Sequence, residues 1–322
     1  MNSRVADADT LDNVALRVVR RERAAEAVVT LYLAAPDGED LPIWEPGAHI
    51  ALTVPGSHAR QYSLCGDPAD RTNYRISVLR EDPGLGSQWI HDELREGDQV
   101  AVSGPHNHFE LVPADRYVFI AGGIGITPIM AMIRSAIDSG TPWTLHYGGR
   151  SRTTMAHVEE IEAWGGNSNF IPEDEAGLID LAAVIGSPQT GTLVYCCGPD
   201  ALISAVEDLM GAWPDNALHV ERFAPSAAAD FSRDTEFSVR CEESDVTVRV
   251  ERGVSIIEAL AAAGIEISTS CGEGTCGTCE TEVIEGIPDH RDSVLTESER
   301  KANESMMPCC SRSFSDLLVL NI

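Results

Sequence analysis

Four cysteines near the C-terminus constrain this chain more than any other feature. Cys271, Cys276 and Cys279 follow one another with C-x4-C-x2-C spacing, and Cys309 stands further along. Four thiolates at this spacing are typical of a [2Fe–2S] cluster, in which each iron takes two cysteine ligands. Glycine suits the loop around such a cluster, because it allows positive φ and close approach of backbone N–H groups to sulfur; the loop contains Gly272, Gly274 and Gly277. A cluster of this kind carries one electron at a time, so the rest of the chain should supply and remove electrons.

A zinc site and disulfide bonds are the alternative uses of these cysteines. Zinc ribbons favour two C-x2-C knuckles, whereas this loop has one short pair. The fourth ligand is open on spacing alone, because Cys309 and Cys310 are adjacent. The stretch resembles plant-type ferredoxins, in which the last ligand is followed by one variable residue and then Ser-Arg. Since Ser311-Arg312 follow Cys310, the resemblance implies that Cys309 is the ligand.

Length, charge and cysteine content exclude several classes of protein. At 322 residues the chain is long for one core, which predicts two or three domains. No apolar run approaches the roughly 18 residues of a transmembrane helix, so we expect no membrane association. Met1–Asp12 is polar and acidic, which indicates a frayed tail rather than a signal peptide. The nine cysteines then favour a reducing, cytoplasmic location, and a net charge of −28 argues against a nucleic-acid partner.

Residues 14–112 consist of short strand-like segments separated by Gly, Pro and Asp. This spacing predicts a small antiparallel β-barrel. The predicted strands are Val28–Leu33, His49–Val54, Gln61–Leu64, Tyr74–Leu79 and Gln99–Val102.

Two segments in this predicted barrel have chemical character, Arg60–Ser63 and Gly84–Ser87, the second preceding a short predicted helix, Gln88–Leu94. A glycine turn with a hydroxyl group at a helix start can bind a phosphate, because the free N–H groups and the helix dipole favour an anion. Together, in this order, the segments resemble the flavin-binding barrel of the ferredoxin-NADP reductase superfamily. The resemblance implies flavin contacts from Arg60, Gln61, Tyr62, Ser63, Ser77, Val78, Leu79, Gly84, Gly86 and Ser87.

Residues 114–223 alternate between strands and helices. The strand Tyr117–Ala121 leads into a glycine loop and a predicted helix, Pro128–Asp138, that ends before Gly140. Proline at a helix start and glycine past its end are ordinary helix signals. The alternation predicts a doubly wound, mostly parallel sheet with ligands at the carboxyl ends of its strands.

The glycine loop departs from the full G-x-G-x-x-G fingerprint, but a later strand ends in Tyr195–Pro199. The pair resembles the nicotinamide nucleotide domain of the same superfamily. In that family the first loop approaches the pyrophosphate and the Cys-Gly-Pro turn lies near the nicotinamide. Cys196 is expected to be a buried hydrophobic residue, whereas Cys197 lines the site. The implied nucleotide contacts are Gly122, Gly123, Gly125, Thr127, Pro128, Arg150, Ser151, Cys197, Gly198, Pro199 and Phe223.

The C-terminal segment has the order strand, strand, helix, cluster loop, strand, which predicts a β-grasp ferredoxin domain. Two capping boxes, beginning at Ser255 and Thr296, predict helix starts. The predicted fold is therefore multi-domain: an antiparallel β-barrel flavin domain, an α/β doubly wound nicotinamide domain and an α+β ferredoxin domain. The predicted boundaries are 1–113, 114–224, a linker at 225–234, and 235–322.

Three modules in this order resemble the phthalate dioxygenase reductase and vanillate demethylase reductase family. The resemblance implies a monomer that takes electrons from NADH through FMN and a [2Fe–2S] cluster to a terminal Rieske-type oxygenase acting on an aromatic acid or similar small molecule. A cytochrome P450 as the acceptor, or a stand-alone NADH redox sensor, are the alternatives. The catalytic candidates are Ser63 and Thr127, expected near the flavin ring, and Cys197, expected to line the site near the nicotinamide. Hydride transfer needs no acid or base, and none is assigned.

Overall fold

The structure is a computed structural model that describes residues 10–55, 59–223, 234–269 and 271–322. The chain divides into two compact units, Met1–Glu221 and Arg222–Ile322. Among the described residues, no helix has the length and apolar character needed to cross a bilayer.

The first unit begins with an antiparallel barrel, as predicted. Its elements are β1 (Leu11–Ala25), β2 (Val28–Ala34), β3 (His49–Leu52), β4 (Arg60–Ser63), β5 (Tyr74–Leu79), α1 (Leu85–Asp92) and β6 (Gln99–His106). Neighbouring strands follow the order β4-β3-β6-β1-β2-β5, and an antiparallel bridge between Leu64 and Ile76 joins the two ends. The core is filled by alternating apolar residues, which include Leu16, Leu31, Leu33, Ile50, Leu52 and Ile76.

The start of the barrel and the start of α1 differ from the predictions. Strand β1 begins at Leu11, so the expected frayed tail was wrong for Leu11 and Asp12. Leu11 is partly buried against the barrel core, and β1 is held in place because it pairs with both β2 and β6. Helix α1 begins three residues before the predicted Gln88, with Gly84 at its N-cap.

The second half of this unit is a parallel sheet with helices on both faces, as predicted. Its elements are β7 (Arg116–Gly122), α2 (Ile126–Ser139), β8 (Trp143–Gly149), α3 (Val158–Ala163), β9 (Asn167–Pro172), α4 (Glu173–Ala176), α5 (Leu181–Ile185), β10 (Thr192–Cys197), α6 (Asp200–Leu209) and β11 (Leu218–Glu221). The strand order is β11-β10-β7-β8-β9, with every neighbouring pair parallel. The order in which strands are added reverses between β7 and β10: β8 and β9 lie on one side of β7, and β10 and β11 lie on the other. Doubly wound sheets bind ligands at such a switch point.

The second unit has the predicted β-grasp order. Its elements are β12 (Phe237–Cys241), β13 (Val246–Val250), α7 (Ile256–Ala262), β14 (Thr281–Glu285), β15 (Pro288–Asp289), α8 (Glu297–Ala302), β16 (Ser305–Met306), β17 (Arg312–Ser313) and β18 (Leu317–Leu320). The main sheet has the order β13-β12-β18-β14-β16. Both predicted capping boxes are present, Ser255 with Glu258 and Thr296 with Glu299.

The predicted linker needs one correction at its end. Residues 225–233 lie outside the described part of the chain, but Asp234 is described and is only 2% exposed. Its carboxylate pairs with Arg291 at 2.9 Å and with Arg312 at 3.5 Å. Asp234 therefore belongs to the folded second unit, because a buried carboxylate needs such partners.

Candidate electron-transfer sites

The two predicted flavin-contact strands face each other across the opening of the barrel. The bridge from Leu64 to Ile76 is antiparallel, so Ser63 lies opposite Ser77, and β4 continues opposite the end of β5. Among the described residues no further bridge joins these two strands. Gln61 Nε2 is buried here without a hydrogen-bond partner in the described chain. Buried polar atoms usually have partners, so this opening fits a polar ligand.

The predicted phosphate segments also come together. A Cβ on Gly86 would lie 2.9 Å from Arg60 Cγ, so the Arg60 side chain packs against the first turn of α1. Gly84 provides no side-chain cap for this helix, and the first N–H groups of a helix have no partner within it. The Ser87 hydroxyl donates to the Gly84 carbonyl and accepts from the Glu81 N–H, each at 3.1 Å. Arg60 and the start of α1 thus form a site that suits a phosphate.

The Ser77 hydroxyl is occupied by a network that joins the barrel to the nicotinamide domain. It bonds Thr30 Oγ1 at 2.9 Å and His157 Nε2 at 2.8 Å. Arg75 donates to both oxygens of Glu160, at 2.8 and 2.6 Å, and its Nη2 lies 3.0 Å from His157 Nδ1. We call Arg75, Ser77, His157 and Glu160 the domain clamp.

The domain clamp engages both ring nitrogens of His157. A guanidinium group only donates, so His157 Nδ1 accepts from Arg75 and Nε2–H donates to Ser77. Burial by itself would raise the pKa of Glu160, but the hydrogen bonds and the positive charge of Arg75 outweigh it and lower the pKa to about 2. The Ser77 side chain is therefore engaged by the clamp and is not available to a ligand in the barrel opening.

The two predicted nucleotide motifs are in direct contact at the switch point. A Cβ on Gly125 would lie 2.2 Å from the Cys197 carbonyl oxygen, and one on Gly198 would lie 2.9 Å from the Gly122 nitrogen. Glycine is required at these positions because the two backbones touch. Thr127 is 2% exposed and donates to the Ile124 carbonyl at 3.0 Å, so its hydroxyl stabilises the start of α2.

A carboxyl group that the sequence analysis did not single out, Glu221, lies at the carboxyl end of β11. Cys197 Sγ is 3.9 Å from Glu221 Oε2. Burial raises the pKa of Glu221 to about 8, and the nearby Ser63 hydroxyl and Cys197 thiol only partly offset this effect. Glu221 is therefore mainly protonated at neutral pH. The sequence feature that could have identified Glu221 is its position at the end of a predicted parallel strand, because such sheets bind ligands there.

The arginines after β8 have different environments. Arg152 pairs with Glu162 at 2.5 Å and lies over the ring of Phe170. Arg150 is exposed and forms no ion pair with the described residues. Ser151 forms a capping box with Thr154. Phe223 is 45% exposed and follows β11 by two residues, so its assignment as a nucleotide contact stays a prediction.

In the second unit the four predicted ligand thiols converge. Cys271, Cys276, Cys279 and Cys309 are all buried. The Cys271 thiol lies within hydrogen-bonding range of Cys276 and Cys309, and these contacts lower the pKa of the Cys271 thiol; Cys279 has a similar contact with Cys309. Two backbone N–H groups point at Cys271 Sγ, from Glu273 at 3.3 Å and Thr275 at 3.5 Å. All three loop glycines have φ near +70°, which is the conformation expected of glycine.

Cys310 occupies a different position from Cys309. Its sulfur lies so close to Gly274 that a Cβ there would be 2.2 Å away. Its thiol contacts the Met307 carbonyl and the Ser311 hydroxyl, both at 3.8 Å, and it is partly exposed. This environment favours Cys309 as the fourth ligand.

Comparisons with known proteins identify the same three domains. Three family models match: an oxidoreductase FAD-binding domain at residues 15–111, an oxidoreductase NAD-binding domain at 119–208 and a 2Fe-2S iron-sulfur cluster binding domain at 239–313. The phenoxybenzoate dioxygenase subunit beta of Ectopseudomonas oleovorans is 40% identical over 98% of this chain and 99% of its own. The solved structure of phthalate dioxygenase reductase, described as modular for electron transfer from pyridine nucleotides to [2Fe-2S], is 34% identical, with a TM-score of 0.70 over 96% of this chain and 98% of that one.

The chain belongs to the phthalate dioxygenase reductase family. As a member it is an oxidoreductase whose cofactors are a flavin, a nicotinamide nucleotide and a [2Fe–2S] cluster. A structure of an intact type IV self-sufficient cytochrome P450 monooxygenase is also similar, at 42% identity and a TM-score of 0.89. That match covers 96% of this chain but 41% of the other.

The residues of this reductase fit the three groups. The four converging thiols provide the soft ligands of a cluster. Arg60 and the start of α1 fit a flavin phosphate, and the unpartnered Gln61 Nε2 fits a polar atom of a flavin ring. The touching glycine backbones lie at the switch point of the sheet, where doubly wound sheets bind nucleotides.

Proposed function

We propose that this protein is the reductase component of a multicomponent oxygenase. It takes electrons from NADH and delivers them singly to a terminal Rieske-type oxygenase that acts on an aromatic acid or similar small molecule. The observation that carries the proposal is the presence, in one chain, of a flavin and nicotinamide unit and a four-thiol cluster loop. The named oxygenase reductases among its relatives support it.

The residues of the first unit bring the two ligands together and keep the site neutral. A flavin, when bound, links two-electron hydride chemistry to one-electron transfer. Arg60 and α1 hold its phosphate, while the glycines of the switch point allow close approach of the nicotinamide nucleotide. Ser63, Cys197 and Glu221 come together between the barrel opening and the sheet, and protonated Glu221 adds no charge there while it can donate a hydrogen bond.

We propose FMN as the flavin and NADH as the preferred donor. The sequence of the barrel shows no clear segment for binding an adenine group. FMN has no adenine group, whereas FAD has one. Arg150 is the residue that could instead select NADPH, because it is exposed and could pair with a 2′-phosphate. Heat-released flavin should therefore run as FMN, and kcat/KM should be higher for NADH than for NADPH. Recovery of FAD would contradict the assignment of FMN. A higher kcat/KM with NADPH would contradict the preference for NADH.

A cytochrome P450 is the second candidate acceptor. The similarity to a self-sufficient P450 at 42% identity favours it. The deciding experiment combines this protein with NADH and either a Rieske-type oxygenase or a P450 encoded beside it, and measures product formed per NADH consumed. Coupled turnover with the Rieske-type enzyme supports the main proposal, whereas coupled turnover only with the P450 would replace it.

A further inference from the structure

The nicotinamide domain contains a cavity at the end of its sheet opposite the nucleotide motifs. It lies against the amino halves of β7 and β8 and has a volume of about 200 Å³. Arg116 and His146 line it from the strands, and Val184, Gln189 and Trp213 line it from the other side. The glycine motifs lie at the carboxyl ends of β7 and β10, so this cavity is separate from the nucleotide site.

Helix α5, in the crossover from β9 to β10, forms one wall of the cavity. Helix α5 has only five residues between its cap at Asp180 and Gly186. The register of β7 and β8 pairs Val118 with Thr144 and Ile120 with His146. Val118 and Ile120 belong to the hydrophobic core on this face, whereas Thr144 and His146 are polar. The short helix leaves this polar pair accessible from the cavity.

The cavity has donor groups without partners. Trp213 is only 7% exposed, and its Nε1–H has no hydrogen-bond partner in the described chain. A buried donor of this kind is costly unless something accepts from it. Arg116 forms no ion pair with the described residues, and no Asp or Glu is among the residues that line the cavity.

The remaining lining sets the shape and polarity of a ligand. Val184 and its neighbour Ile185 form an apolar wall. Burial lowers the pKa of His146, so at neutral pH its ring is uncharged and Arg116 is the cation of the site. The volume of the cavity equals that of roughly seven molecules in liquid water. It has room for one ring with a small polar substituent and is too small for a dinucleotide.

We propose that this cavity binds a small aromatic carboxylate. The carboxylate would accept from Arg116 and from the Trp213 N–H, and the ring would lie against the apolar wall. A guanidinium group binds carboxylates well because its N–H groups match the two oxygens. The proposal goes beyond electron transfer, because it gives the nicotinamide domain a second small-molecule site, at the end of the sheet opposite the nucleotide motifs.

The test uses benzoate as the probe and the full-length holoprotein, with binding measured by calorimetry. Benzoate should bind saturably, and neutral benzamide should bind at least tenfold more weakly. Arg116→Gln should weaken benzoate binding at least tenfold, and Trp213→Phe, which keeps a ring but removes the N–H donor, severalfold. Flavin and cluster absorbance and NADH–ferricyanide activity should be unchanged in both variants, which shows that they are folded.

Arg150→Gln is the matched control, because Arg150 is an exposed arginine at the other end of the same sheet. It should bind benzoate as the wild type does. Loss of binding in Arg150→Gln but not in Arg116→Gln would place benzoate in the nucleotide site and overturn the proposal. Absence of saturable benzoate binding to the wild type, or equal affinity for benzoate and benzamide, would overturn it as well.

Discussion

At the scale of single residues, the buried carboxyl of Glu221 links the stability of the fold to pH. Its pKa of about 8 in the folded protein lies above the usual value of about 4.3 for an unfolded chain. Between these two pH values the folded state holds a proton that the unfolded chain has lost. The contribution of this carboxyl to folding stability is therefore fully present below about pH 4.3 and is lost as the pH rises toward 8.

This sign gives a prediction for Glu221→Gln, which keeps a neutral, hydrogen-bonding side chain at every pH. Relative to the wild type, the variant should gain stability as pH rises from 5.5 to 8, by up to about 1.4 kcal/mol for each pH unit. The measurement is the melting temperature of both proteins across this range. A difference that does not change with pH would show that Glu221 ionises normally.

The adjacent cysteines give a second prediction at this scale. Cys309→Ser should lose the absorbance and the reduced-state EPR signal of the cluster but keep the flavin, because Cys309 lies with the other ligand thiols. Cys310→Ser is the matched control and should keep both cofactors, since its sulfur lies against Gly274 instead. If Cys310→Ser is the variant that loses the cluster, the ligand assignment is wrong.

At the scale of elements, the domain clamp fixes β5 to the segment that begins α3. Arg75→Gln should destabilise the first unit by about 2–3 kcal/mol, because it leaves the carboxylate of Glu160 without its main partner. It should also lower the rate of ferricyanide reduction by NADH, because β5 contributes to the barrel opening.

Arg152→Gln is the control for this prediction. Its pair with Glu162 is exposed on both sides, and such pairs contribute about 0–1 kcal/mol. The measurements are denaturant unfolding and steady-state kinetics for both variants. Equal effects of Arg75→Gln and Arg152→Gln would show that the clamp does not position the domains.

The elements also show what can be predicted from this sequence. The strand Tyr74–Leu79 and both capping boxes were predicted as observed, since a period-two apolar pattern and a Ser or Thr before Glu are local signals. Strand β9 was not predicted, because it begins with the polar Asn167-Ser168-Asn169 and lies at a sheet edge. The occupation of Ser77 by His157 and the burial of Glu221 were also missed, because both depend on contacts between residues far apart in sequence.

At the scale of the whole molecule, the chain separates hydride chemistry from single-electron transfer. The barrel and the nicotinamide domain form one compact unit, and the four-thiol loop belongs to the other. The motifs of each unit were readable from sequence because each lies within a short segment. This division implies that NADH can reduce the cluster only when the flavin is present.

Anaerobic mixing of the full-length protein with NADH, followed by EPR of the reduced cluster, tests this claim most directly. Holoprotein should develop the signal of the reduced cluster within one turnover, after bleaching of the flavin absorbance. Protein from which the flavin has been removed, with its cluster intact, should develop no signal, and readdition of FMN should restore it. Reduction of the cluster by NADH in the flavin-free protein would contradict the account.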